Sequence, residues 1–252
     1  MEERRRLYKL NTHPAASGLP AAEAARLRRE EAELCVVYAS WAVLEPEQDS
    51  YSDSAYEALR SQLIRLASLG IEPVLCLYRG EAPDWFRVRG GWELEDDLRF
   101  YLRFVGKTVR SVGHLVSRYI TVASPDELAR RGKLLSPRAL SHMAAGHIRA
   151  CRLIRDTRAQ RGWGESVIGF ALRLRTVSAV HKRFLGEGEL LQTALLRAMT
   201  FGKFTPPLLN PLHIKPGDYG DFLAVYCAGE EAEALCLMAE GITGKPAFPA
   251  DH

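Results

Sequence analysis

Residues 34–78 read LCVVYASWAVLEPEQDSYSDSAYEALRSQLIRLASLGIEPVLCLY. Two apolar runs, Leu34–Ala39 and Glu72–Tyr78, flank a segment, Asp53–Leu69, whose apolar residues recur at helical spacing. A strand, a helix and a strand in that order form a unit that pairs its strands in parallel, because the helical crossover returns the chain to the same end of the sheet. The same alternation extends both ways. Strands are predicted at Leu7–Asn11, Tyr119–Val122, Ser166–Leu172, Asp221–Tyr226 and, more faintly, Lys245–Phe248. Helices are predicted at Ala21–Glu33, Glu95–Val112, Pro137–Arg158, Leu190–Met199 and Glu230–Glu240. Seven strands interleaved with helices predict an α/β barrel or a doubly wound sheet.

The chain has 252 residues, 47% of them hydrophobic and 26% charged, which excludes disorder as its main state. No low-complexity tract or short repeat offers a place to cut it, so residues 1–252 are read as a single domain. Lysines and arginines number 34 against 31 acids, a net charge of +3, too mild to name a nucleic acid or a membrane surface as partner. The start, MEERRRLYKL, lacks an apolar run after its basic residues, and no stretch approaches the ~18–20 apolar residues of a membrane span. Five cysteines, widely spaced and mostly within apolar runs, read as buried thiols of a reducing compartment, so a cytoplasmic location is expected.

Most motif chemistry is missing. Asn11–Gly18 reads NTHPAASG where a dinucleotide-binding fold needs G-x-G-x-x-G, and neither a phosphate-binding GxxxxGK[ST] nor a GxSxG elbow occurs. There is no HExxH, and His142 and His147 lie five residues apart, about 140° around a helix, so neither a metal nor another cofactor is expected. Arg149, Arg152, Arg155, Arg158 and Arg161 recur at every third position, which wraps them around a helix instead of aligning them, and predicts a solvated surface. Carboxylates do stand at strand ends: Glu81 in YRGEAPDW, Asp126 and Glu127 in TVASPDEL, and Asp251 in KPAFPADH. Pairs of carboxylates in such loops can serve acid/base or nucleophilic chemistry.

Taken in order, the segments resemble the family 1 glycoside hydrolases, the β-glucosidases and 6-phospho-β-glycosidases. Trp41–Pro46 (WAVLEP) and the helix and strand after it, then APDWF, GGW at Gly90–Trp92 and YITVAS-P, follow that family from its second to its fourth strand. AAGHIRACRLIR, IGFAL, FGKFTP, YGDFLAVY and GKPAFPADH continue the likeness to a seventh strand. The resemblance implies a TIM-type (β/α)8-derived α/β barrel, shortened, with about seven recognisable strands and the eighth unit missing. It implies no cofactor, and a sugar or sugar phosphate as the ligand class.

The departures fall on the catalytic positions. The family's T-x-N-E-P is Thr121 to Pro125 here, so Ser124 stands for the acid/base glutamate and Ala123 for the asparagine that holds the sugar 2-hydroxyl. Arg79 and Gly80 replace the sugar-binding histidine and aromatic, Val36 replaces an arginine, and Tyr226 and Cys227 replace an Asn-Tyr pair. The nucleophile position aligns with Asp251. A retaining glycosidase needs two carboxyl groups about 5–5.5 Å apart, and a serine cannot shuttle the proton as a carboxyl does. The expectation is therefore a pseudo-glycosidase that binds a carbohydrate or an anion at its mouth through Arg79, with Trp41, Tyr226 and Ala123 in the site. Two rival expectations are an active O-glycosyl hydrolase using Glu127 or Glu81, or Asp126, with Asp251, and a non-catalytic scaffold. An edge left bare by the missing strand would be removed either by seven-strand closure or by a homodimer pairing two open edges.

Overall fold

The computed structural model describes residues 5–10, 19–131, 134–174, 186–226 and 231–250. Seven parallel strands close into a barrel: β1 (Leu7–Lys9), β2 (Leu34–Tyr38), β3 (Glu72–Cys76), β4 (Arg118–Ala123), β7 (Val167–Leu172), β8 (Phe222–Tyr226) and β9 (Ala247–Ala250). The two remaining strands, β5 (Arg130–Arg131) and β6 (Leu134–Leu135), make a small antiparallel ribbon beyond β4. Each predicted strand is present within a few residues of its expected bounds.

Helices cross over between the barrel strands, with α1 (Ala21–Arg29), α3 (Asp53–Ser68), α5 (Leu98–Val112), α7 (Pro137–Arg161), α8 (Gly186–Phe201) and α9 (Ala232–Thr243) as the outer ring. Three short helices, α2 (Trp41–Leu44), α4 (Asp84–Arg89) and α6 (Pro125–Leu128), follow strands β2, β3 and β4. The long helices start where the sequence supplies a cap. The Ser52 hydroxyl accepts from the Ala55 amide ahead of α3, and that of Ser136 accepts from the Ala139 amide ahead of α7, where Pro137 fills the first helical position.

Closure takes the first of the two expected routes. β1 pairs with β2 over Leu7, Tyr8 and Lys9, and with β9 through Leu7 opposite Ala250. Among the described residues the barrel strands therefore pair around the full circle, with β1 between β2 and β9. A barrel of fewer strands is narrower, and small residues make the room: Gly169, Ala171, Ala224 and Ala250 surround the interior that Phe222 and Tyr226 fill. At Gly169 a Cβ would stand 2.4 Å from the Phe222 carbonyl oxygen, so only glycine fits there.

Between barrel and ring lies the larger apolar core, in which Trp41, Phe86, Tyr101 and Phe104 are buried. The arginine series on α7 divides: Arg149, Arg152 and Arg161 are exposed, as the solvated surface expected, whereas Arg155 and Arg158 face the barrel. Arg158 is buried and donates to the Gly113, Val116 and Gly164 carbonyls, Arg155 pairs with Asp221 at 2.9 Å, and Arg152 donates to the Tyr219 hydroxyl. Among the described residues, no helix is long and apolar enough to cross a membrane.

Candidate functional site

The last residues of the strands, Tyr38, Cys76, Ala123, Tyr226 and Ala250, form the upper end of the barrel interior. Ligand sites of such barrels lie at this end because the loops that vary are the ones following the strands. Here a cavity of about 180 Å³ opens beside β1, β2 and β3, lined among others by Lys9, Tyr38, Ser40, Cys76, Arg79 and Glu81. Arg79 and Glu81 flank Gly80, which turns with φ +106° and packs so closely on Leu128 of α6 that a Cβ would meet its Cδ2 at 2.4 Å. The positive φ and the close approach of Leu128 together favour glycine at this turn.

The guanidinium of Arg79 lies 4.6 Å from the centre of the Tyr38 ring, a cation–π contact. Glu81 is exposed and accepts from the Ser40 hydroxyl at 2.7 Å. Beneath them the ionisable groups are held neutral. Burial pushes the Tyr38 hydroxyl and the Cys76 thiol each up to about 12, against the opposing pull of Arg79, and burial raises Tyr226 further. Cys76 is therefore a thiol and not a nucleophile at neutral pH. The Tyr38 and Tyr226 hydroxyls are hydrogen-bonded neighbours, and each influences the other.

Ser124 follows an irregularity in the pairing of β4 with β7 between Ile120 and Ala123, a feature that re-aims side chains at strand ends. It adopts φ 50° and ψ 52°, a left-handed conformation uncommon outside glycine. Its amide donates to the Ala171 carbonyl at 2.8 Å, while its buried hydroxyl has no hydrogen-bond partner among the described residues. Strain and an unmatched hydroxyl together make Ser124 a poor residue for stability alone. Ser124→Gly is accordingly expected to raise the unfolding free energy by about 1 kcal/mol, measured by urea denaturation. A loss of stability would show that the hydroxyl has a structural partner.

The other predicted site residues divide. Arg79, Glu81 and Trp41 line one cavity, but Trp41 is 1% exposed, stacked on Phe104 at 5.2 Å, with its indole N–H donating to Glu45 at 2.7 Å. It is a wall of the site and offers no ring face to a ligand. Ala123 and Tyr226 are buried in the barrel interior. Glu127 forms an ion pair with Arg173 at 3.0 Å, and Asp126 precedes it in the first turn of α6. Asp251 and Cys227 lie outside the described residues. Lys9, Tyr38, Ser40 and Cys76 were not anticipated; their signal was their place at or just past the strand ends.

His142 and His147 are both buried, and among the described residues no cluster of three His, Cys, Asp or Glu side chains stands where a metal ion would be held. A larger hollow, about 660 Å³, lies at the opposite end of the barrel beside Arg155, Arg158, Trp163 and Asp221. Arg155, Arg158 and Asp221 there are engaged in the carbonyl and ion-pair contacts that hold α7 to the strand starts, and Glu165 is exposed.

The barrel fold is matched among solved structures. It superposes on a β-glucosidase from Exiguobacterium marinum with a TM-score of 0.66 and 18% identity, over 82% of this chain and 54% of that one. A family 1 β-glucosidase from Thermotoga maritima in complex with isofagomine lactam gives 0.68 and 16%, over 81% and 53%. The fold is a shortened TIM-type α/β barrel like those of family 1 β-glucosidases. A β-glycosidase from Pyrococcus horikoshii matches this glycosidase-like barrel at 0.61 and 20%, over 82% and 51%. The chain thus spans about half the length of these solved relatives. Among curated proteins it is 29% identical over 91 residues to the β-glucosidase-like protein SFR2, chloroplastic, of Oryza sativa subsp. japonica, covering 34% of this chain and 14% of that protein. No family profile matches.

Proposed function

We propose that this chain is a glycosidase-like barrel that binds a carbohydrate at its mouth without hydrolysing it. The observation that carries the reading is Ser124. The resemblance puts the family's acid/base carboxylate at this position, and the residue found there is a strained serine whose buried hydroxyl has no hydrogen-bond partner among the described residues. Loss of a general acid/base costs ~10²–10⁴ in rate, and the candidate replacements are committed elsewhere. Glu127 is paired with Arg173, and Glu81 accepts from the Ser40 hydroxyl. Binding survives such losses more readily than chemistry, since a cavity at the strand ends needs only walls and a few polar groups.

The test follows binding and chemistry on the same sample. Aryl β-glucosides and their 6-phosphates are titrated into the protein while tryptophan fluorescence reports occupancy and absorbance reports released phenol. Saturable quenching without phenol release is the expected result. Release of phenol at saturation would replace this reading with that of an active hydrolase, and the absence of quenching across the panel would remove the binding claim.

A further inference from the structure

Helix α9 is apolar on nearly every side: in AEALCLMAEGIT only Glu233, Glu240 and Thr243 carry polar side chains. A helix of that kind belongs in an enclosed place, yet only half of α9 is enclosed. Leu235, Cys236 and Ala239 are buried against the barrel and α8, whereas Ala234, Leu237, Met238 and Gly241 form an exposed stripe at helical spacing. Leu237 is 56% exposed and Met238 36%, side by side on one face and not scattered singly.

The stripe borders the one seam of the barrel that has no crossover, where β9 pairs with β1. Tyr8 and Pro249 on these strands are only partly buried. The two helices flanking the seam carry opposite charge. On α9, Glu233 is exposed, and Glu240 accepts from the Ala247 amide of β9 at 2.9 Å, which places this acidic flank beside the seam. On α1, the last turn exposes Arg28 and Arg29, which stand in no ion pair among the described residues. Glu30 and Glu33 beside them are held by Arg26 and Arg5, so two arginines stand against the exposed Glu31.

This surface is its own complement. Both helices leave the upper ends of their strands and run downward, so α1 and α9 point the same way. A second copy laid with its α9 antiparallel, about a two-fold axis between Leu237 and Met238, sets each Leu237 on the partner's Met238. Each Ala234 then meets the partner's Gly241, and such small residues let two helices approach closely. The same reversal carries the partner's Glu233 down to the last turn of α1, beside Arg28 and Arg29. A parallel copy would bring it to the start of α1, where Ala21 and Ala22 offer no charge.

We propose that the chain forms a two-fold homodimer through α9, with the Leu237–Met238 contact at its centre and Glu233 pairing with the partner's α1 at its rim. Such an interface uses the same patch on both copies. It joins helix to helix and needs no open strand edge.

Sedimentation equilibrium of the full chain, from low to high micromolar concentration, tests it. The expected mass is twice the 28.2 kDa of one chain. Leu237→Glu sets an unpaired carboxylate at the centre of the contact and is expected to weaken the dimer at least about a hundredfold. Its position is open to water, so the thermal unfolding midpoint of the monomer should stay in place. Glu233→Arg is expected to weaken the dimer about tenfold, and adding Arg28→Glu and Arg29→Glu should restore most of that loss. A monomer at every concentration overturns the proposal, as does a dimer indifferent to Leu237→Glu. A dimer that Leu237→Glu breaks and Glu233→Arg leaves intact overturns the antiparallel arrangement.

Discussion

Glu45→Ala is expected to cost about 3–5 kcal/mol of unfolding free energy, the range seen when one partner of a buried ion pair is removed. Glu45 is fully buried. Its carboxylate accepts from the Trp41 indole at 2.7 Å, from the Asp49 amide at 3.1 Å and from Arg103 at 2.6 Å, while its carbonyl accepts from the Trp85 indole at 3.2 Å. Truncation leaves the Trp41 N–H unsatisfied in the aromatic core and strips Arg103 of its buried partner. Arg103 keeps Asp49, but that pair is mostly exposed, and such pairs contribute about 0–1 kcal/mol. Glu45→Gln, which retains an acceptor for Trp41, should lose clearly less than the alanine variant. Chemical denaturation of the two variants checks this; a loss below about 1 kcal/mol for Glu45→Ala would mean that the hub is dispensable.

The second large effect is a dependence on pH set by His147. It sits between β4, α7 and α8, with Nδ1 2.6 Å from the Thr121 hydroxyl oxygen and a hydrogen bond to the Met199 backbone. Donation to that carbonyl makes Nδ1 the acceptor from Thr121, so the ring is neutral. Burial lowers its pKa from 6.5 to about 3, with Arg155 acting in the same direction. Between these values the unfolded chain binds a proton that the folded chain refuses. The stabilisation is therefore complete above pH 6.5 and is lost as the pH falls, by about 1.4 kcal/mol per pH unit. His147→Gln removes this titration. Urea unfolding at a series of pH values from 7 down to 4 should show a flatter slope for the variant by about that amount, whereas parallel slopes would mean that the ring is solvated and charged in the fold.

The alternation that predicts the strands is a local property, and it held even for short runs such as Leu34–Ala39 and Asp221–Tyr226, found as Leu34–Tyr38 and Phe222–Tyr226. Boundaries moved where a local signal competed. The strand expected at Lys245–Phe248 runs from Ala247 to Ala250, and the helix expected from Glu95 begins as a tighter turn over Glu95–Asp97 before α5. What was not legible depends on residues far apart in the chain. Closure through Leu7 and Ala250, separated by nearly the whole sequence, has no sequence signature. The burial of Trp41 follows from Phe86, Tyr101 and Phe104 converging on it from two other helices. Arg79 was singled out through the resemblance, as the replacement of a sugar-binding histidine, but its stacking on Tyr38 needed the register of β2 against β3. The left-handed backbone of Ser124 likewise comes from the irregular β4–β7 pairing and not from the residue.

The central claim is that the barrel persists without glycosidase chemistry, and aglycone release tests it most directly. Wild-type protein, Glu127→Ala and Asp251→Ala are incubated with the aryl β-glycosides and their 6-phosphates, and phenol release is compared with a buffer control. The account predicts no release above the control for any of the three. Release by the wild type that either substitution abolishes would contradict it and would assign the displaced carboxylate to catalysis.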